Sequence, residues 1–95
     1  MNKYELCVVL NPQFEGDSLK EELDRVTGVV TRFGGEIEKI DEWGRRKLAY
    51  EIQKLTEGVY YFINFDAPPE APAQIEDRLR IAEPVIRFLI VRVED

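Results

Sequence analysis

Residues 42–54 read EWGRRKLAYEIQK and place basic side chains beside aromatic ones. The basic side chains are those of Arg45, Arg46, Lys47 and Lys54. In an extended strand, Arg45 and Lys47 point the same way about 7 Å apart, while Arg46 points to the opposite side. This spacing approximates that of adjacent phosphates in a nucleic-acid backbone, which arginine binds through paired donors and lysine as a point charge. The segment therefore predicts a nucleic-acid contact.

The two rings of this segment, Trp43 and Tyr50, can stack on unpaired bases or on ribose. Two structural alternatives stand beside these interpretations. Tyr50 has the same strand parity as Leu48 and Ile52, which also fits a residue of the core. Charged side chains guard exposed strand edges against aggregation, so the basic run also fits a solvated edge strand.

The charge of the whole chain opposes binding to polyanions. Nineteen acidic residues against thirteen basic ones give a formal net charge of −6, so any nucleic-acid contact must come from a local patch. If all the cations of residues 42–54 met phosphates, affinity would fall about a hundredfold between 50 and 200 mM salt. The same acidity favours a basic protein as partner.

The residue types needed for catalysis or for metal binding are scarce. The chain has no histidine, so nothing activates Cys7 as a nucleophile, and a zinc site lacks ligands. Asp41 and Glu42 are adjacent in a strand and therefore point apart, which excludes a paired acid and base. We expect no enzyme, no cofactor and no small-molecule substrate. No apolar run approaches the roughly 20 residues of a membrane helix, and a single cysteine suits a reducing cytoplasm.

The pattern of apolar residues predicts one domain over residues 1–95, with elements in the order β-α-β-β-α-β. The strands are predicted at residues 4–10, 36–52, 59–65 and 85–93. The first helix has a capping box at Ser18 and Glu21, an apolar stripe from Leu19 to Phe33, and a stop at Gly34. A bulge or a bend is expected at Gly44, a hairpin loop over residues 53–58, and a second helix with Pro72 in its first turn.

This order predicts a ferredoxin-like α+β fold with a four-stranded antiparallel sheet and two helices on one face. Strands one and three are then central, and strands two and four form the edges. The first, third and last strands carry apolar residues on both sides. We therefore expect an apolar open face that binds a partner, although cross-strand pairs that shield one another would also explain it.

Several segments carry a family resemblance. Trp43-Gly44-Arg45-Arg46-Lys47-Leu48-Ala49-Tyr50, followed by Ile52 and Lys54, closely resembles bacterial small-subunit ribosomal protein six. Tyr4-Glu5, Leu10-Asn11-Pro12 and Val85-Ile86-Arg87 add to the likeness, which spans essentially the whole chain.

The resemblance implies a cytoplasmic protein of the ribosome. It implies binding to the central domain of small-subunit ribosomal RNA, in the platform, and a heterodimer with small-subunit ribosomal protein eighteen, a basic protein. The RNA-facing positions that it implies are Lys3, Tyr4, Trp43, Arg45, Arg46, Lys47, Tyr50, Lys54, Arg87 and Arg92.

Two positions depart from the pattern of the resembled family. Asn2 stands where a basic residue is frequent, so the N-terminal RNA contact rests on Lys3. Glu51 stands where proline usually follows Leu-Ala-Tyr; it restores a backbone donor and adds a negative charge beside the basic run. A rival hypothesis is a small ligand-binding or regulatory domain of the same fold that self-associates through its open face.

Overall fold

The computed structural model describes residues 1–93, and its elements follow the predicted order. They are β1 (Asn2–Leu10), α1 (Asp17–Arg32), β2 (Glu36–Ile52), β3 (Leu55–Ala67), α2 (Ala71–Arg80) and β4 (Val85–Arg92). The strands form one antiparallel sheet in the order β2-β3-β1-β4. The predicted ferredoxin-like fold, with its two central and two edge strands, is confirmed.

The core lies between the two helices and one face of the sheet. Alternate residues of the central strands point to this face, including Leu6 and Val8 of β1 and Ile63 and Phe65 of β3, all of them at most 1% exposed. Val26, Val30, Ile75 and Leu79 meet them from the helices. Removing such a leucine side chain costs about 2–5 kcal/mol, so this layer fixes the sheet that carries the site.

The two ends of α1 differ in how well the sequence predicts them. Gly34 has φ of 90°, its N–H donates to the carbonyl of Thr31, and the N–H of Gly35 donates to that of Val30 at 2.9 Å. This is the predicted glycine stop. The predicted capping box is wrong, because the helix already begins at Asp17 and the Ser18 hydroxyl bonds the backbone of Glu15 instead.

The hairpin between β2 and β3 is tighter than predicted. The sequence pattern predicts a loop over residues 53–58, but β2 and β3 pair as far as Ile52 and Leu55. Only Gln53 and Lys54 form the turn, with φ of 52° and 65°. Two residues with positive φ suit the right-handed twist of a hairpin. β2 ends where it was predicted to end, and β3 begins four residues earlier than predicted.

The face of the sheet away from the helices carries apolar side chains, as predicted. Phe62 and Cys7 are half-buried there, while Trp43, Leu89 and Val91 are exposed. The register aligns Phe62 with Cys7, and Cys7 with Leu89. We call this surface the open face.

Candidate nucleic-acid interface

The basic segment lies on a two-stranded ribbon that extends past the rest of the sheet. The pairing of β1 with β3 ends at Leu10 and Val59, whereas β2 and β3 continue to pair to the turn. We call residues 46–58 the ribbon. Its tip is Lys54, and its base is the pair formed by Arg46 and Gly58. The ribbon therefore lies beyond the part of β3 that pairs with β1.

Three cations of the ribbon are available for a ligand. Arg46, Lys47 and Lys54 are exposed, and within residues 1–93 none of their side chains has an ion-pair or hydrogen-bond partner. Arg46 pairs with Gly58 and Lys47 with Glu57 across the ladder, so successive side chains point to opposite sides of the strand, as predicted.

Arg45, at the base of the ribbon, is engaged within the protein. Its Nη2 donates to the carbonyl oxygen of Pro12 at 3.1 Å, and its Nη1 lies 3.7 Å from the Glu57 carboxylate. The side chain thus ties β2 to the loop after β1. Arg45 is thus bonded within the protein, whereas Arg46 and Lys47 are unpaired within residues 1–93, although all three belong to the same sequence run.

Tyr50 is a surface residue, because 60% of it is exposed, and the core alternative for it is wrong. Its hydroxyl accepts a hydrogen bond from Arg87 Nη1 at 3.0 Å, and the guanidinium carbon of Arg87 lies 5.7 Å from the ring centre. β2 and β4 are opposite edges of the sheet, so this contact requires the ribbon to curl across the open face. The curl brings a cation of β4 to the basic segment.

Gly58, which the sequence pattern assigns to the end of the hairpin loop, instead lies in β3 and permits this curl. A Cβ placed on Gly58 would collide with the Val9 side chain and would lie 3.3 Å from Ile86 Cδ1 and 3.5 Å from Leu48 Cδ2. Only glycine lets these three side chains, from three different strands, meet at the base of the ribbon.

Trp43 lies at the predicted bulge. The register of β2 shifts between Glu42 and Gly44, and Gly44 has φ of 76°, a conformation that favours glycine. The Trp43 ring packs on Phe62 with centroids 4.7 Å apart, and 53% of Trp43 remains exposed. The bulge thus turns a large ring onto the open face beside the ribbon.

The other predicted positions lie at the far end of the sheet. Lys3 is paired with Asp66, which is eight residues along β3 from Gly58, a distance of about 26 Å. Lys3 Nζ contacts the carboxylates of Glu38 at 3.4 Å and Asp66 at 3.6 Å. Arg92 Nη2 donates to Asn2 Oδ1 at 3.2 Å. These two cations do not join the basic group at the ribbon.

Tyr4 belongs to the core. It is 8% exposed, and its ring packs on Phe65 with centroids 5.6 Å apart. A ring in this position has no free face for a base, so we leave Tyr4 out of the interface proposed below.

Two features of the described residues bear on metal binding and on thiol chemistry. No group of three potential metal ligands occurs within residues 1–93. Burial, and then the charge of Glu5, raise the pKa of the Cys7 thiol, while Arg87 lowers it by less. The thiol is therefore held in its protonated form, which is a poor nucleophile. Among the helices of the described residues, none has the length and apolar character that crossing a membrane requires.

Comparisons with known proteins agree with one another. The family model described as ribosomal protein S6 matches residues 3–92. The small ribosomal subunit protein bS6 of Clostridium novyi is 45% identical over 94 residues, which is 99% of each chain. That of Paenarthrobacter aurescens is 41% identical over 95 residues, all of this chain and 94% of the relative.

A solved structure of a ribosomal protein is also similar to this chain. The crystal structure of 30S ribosomal protein S6 from Thermotoga maritima superposes with a TM-score of 0.90 at 28% identity. The match covers 97% of this chain and 87% of that one.

Proposed function

Because this chain belongs to the ribosomal protein S6 family, we propose that it binds the central domain of small-subunit ribosomal RNA through its ribbon. The family consists of structural, non-enzymatic proteins of the small ribosomal subunit, and the chain therefore works in the ribosome, in the cytoplasm. The observation that carries the proposal is the group of three unpaired cations on a projecting ribbon of an otherwise acidic chain.

The RNA contact divides into three parts. Arg46, Lys47 and Lys54 bind phosphates and fix the position of the backbone. Arg87, held by the Tyr50 hydroxyl, adds a fourth cation from β4. Trp43 offers its exposed ring for stacking at the border between the ribbon and the open face. Contacts of this kind position RNA and supply little sequence readout.

The open face is the proposed surface for small-subunit ribosomal protein eighteen. Exposed Leu89 and Val91 and half-buried Phe62 supply an apolar centre. Glu5 also lies on this face, beside Val91, and its charge suits a basic partner. Because the ribbon curls over one end of this face, a partner there and RNA on the ribbon would lie side by side and form one clamp.

Filter-binding of a central-domain RNA fragment, with and without the basic partner and across a salt series, tests the clamp. We expect weak binding by the chain alone, because its net charge repels RNA, and tighter binding once the partner is present. Equal affinity in both cases would contradict cooperative binding. Sedimentation of the chain alone tests the rival hypothesis, since a stable homodimer through the open face would favour the self-associating domain.

A further inference from the structure

A groove lies between the C-terminal halves of α1 and α2, on the side of the molecule away from the open face. Two adjoining cavities of about 410 and 440 Å³ form it, and both are lined by Arg25, Val29 and Ala82. We call this surface the inter-helix groove. Apolar side chains from both helices and from the segment after α2 line it: Val26, Val29, Leu79, Ile81 and Ala82.

The charge at the outer part of the inter-helix groove is opposite to that of the chain. Three arginines, Arg25, Arg32 and Arg78, line the 440 Å³ cavity, which has no carboxylate among its described lining residues, whereas Glu22 and Glu83 line the 410 Å³ cavity. Arg25 Nη1 lies 3.5 Å from Glu22, and Arg32 lies 5.8 Å from the Phe33 ring centre. Arg78 has no ion-pair partner within residues 1–93.

Helix stability explains only part of this arrangement. Arg32 and Arg78 lie in the last turns of their helices, where cations offset the partial negative charge of the free carbonyl groups. Arg25 lies mid-helix, where its pair with Glu22, three residues earlier in α1, also supports the helix. Ile81, just after α2, is 74% exposed at the mouth of the groove. An exposed isoleucine among three arginines matches a ligand with both apolar and acidic groups.

We propose that the inter-helix groove binds an acidic amphipathic segment of another protein. One apolar side chain of that segment packs against Val29 and Ile81, and its flanking carboxylates pair with Arg25, Arg32 and Arg78. Charge complementarity selects an acidic partner, and the apolar floor favours a peptide, because RNA carries no aliphatic side chain to pack against Val29 and Ile81. Gln53 of the ribbon's turn lines a neighbouring pocket with Ile81 and Ala82, so the ribbon and the groove adjoin at this end of the molecule.

A designed probe peptide tests the proposal. The probe is a fluorescein-labelled 14-residue helix with leucines on one face and glutamates beside them; a matched peptide carries glutamine in place of glutamate. We expect fluorescence anisotropy to detect binding of the glutamate peptide and weaker binding of the glutamine peptide. Amide chemical shifts in the chain should change at Gly28, Val29, Ile81 and Ala82.

Variants of exposed groove residues locate the contact. Arg32→Gln and Arg78→Gln should each weaken the probe about two- to fivefold, the range for one exposed ion pair. Ile81→Ser should also weaken it, while Lys20→Gln, an exposed change of equal charge outside both cavities, should not.

Two results would overturn the proposal. If Lys20→Gln weakens the probe as much as Arg78→Gln, the attraction is a general charge effect. If oligouridylate RNA displaces the probe and shifts the same amides, the groove is an RNA site. Urea unfolding of each variant confirms that the fold is intact, since all the altered side chains are exposed.

Discussion

Replacing both Arg46 and Lys47 by glutamine separates the RNA-binding explanation of the basic run from the edge-strand explanation. Both side chains are exposed and, within residues 1–93, unpaired, so the double variant removes the two proposed phosphate contacts and no internal contact. Each phosphate contact contributes about 0.7 to 0.9 to the slope of log affinity against log salt. The double variant should therefore reduce the slope by about 1.4 to 1.8.

That reduction in the salt slope gives a measurable difference in affinity between the wild-type protein and the double variant. Between 50 and 200 mM salt, wild-type protein should lose about 7- to 12-fold more affinity than the double variant. The assay is filter-binding of the central-domain RNA fragment in the presence of the basic partner, at four salt concentrations. Urea unfolding of the free protein should show little change, because surface substitutions of this kind are usually within about 0.5 kcal/mol.

Arg45→Gln is the matched control, because it removes one cation of the same run. It loses the bonds to the Pro12 carbonyl and to Glu57, and both partners are partly exposed, so its cost in stability should be about 0.5–1 kcal/mol. Its salt slope should change by less than half as much as that of the double variant. Two results would refute the proposal that Arg46 and Lys47, and not Arg45, bind phosphates. One is a double variant with the wild-type salt slope, and the other is an Arg45→Gln variant whose slope changes more than that of the double variant.

Three further predictions concern the curl of the ribbon and the open face. Tyr50→Phe removes the hydrogen bond to Arg87 but keeps the ring, so RNA affinity should fall about two- to fivefold; an unchanged affinity would show that Tyr50 does not hold Arg87 for RNA. Gly58→Ala should lower the free energy of unfolding in urea by about 1–3 kcal/mol, and Val9→Ala in the same chain should recover part of it; no recovery would contradict the close approach at Gly58. Because burial raises the pKa of Cys7 in the folded protein, the fold should gain stability from this thiol at neutral pH and lose it as pH rises through the folded pKa. Alkylation of Cys7 should also be slower than in the urea-unfolded chain at the same alkaline pH, and equal rates would contradict that shift.

The fold could be predicted because local patterns and the global architecture agree. The stripe from Leu19 to Phe33, the glycine stop at Gly34 and the alternation in β1 each identify an element, and their order restricts the topology to few solutions. The capping box failed because the N-cap is Gly16, two residues before Ser18, so that Ser18 lies inside the first turn of the helix.

The hairpin shows a limit of the same reasoning. Glycine is the usual sign of a turn with positive φ, so Gly58 appeared to close a loop that began at Gln53. In the structure Gln53 and Lys54 adopt positive φ themselves, and Gly58 lies inside β3. Gly58 is glycine because three side chains converge on it, and that convergence depends on contacts between strands distant in sequence.

The site could be predicted as a group of residues but not as a geometry. The sequence pattern identifies Arg45, Arg46 and Lys47 together because they are adjacent, and it cannot show that Arg45 reaches Pro12. Nor can it show that Tyr50 meets Arg87, which is 37 residues away and on the opposite edge of the sheet. Such contacts follow from how the ribbon curls, and a strand period alone does not specify the curl.

The central claim is that unpaired cations on the ribbon attract RNA to a chain whose net charge repels it. An experimental structure of the small ribosomal subunit that contains this chain tests that claim most directly. We predict phosphate oxygens within about 3 Å of the side-chain nitrogens of Arg46 and Lys47, the distance of charge-assisted hydrogen bonds. A ribbon surrounded by solvent, or one whose cations are paired with carboxylates of this same chain, would contradict it.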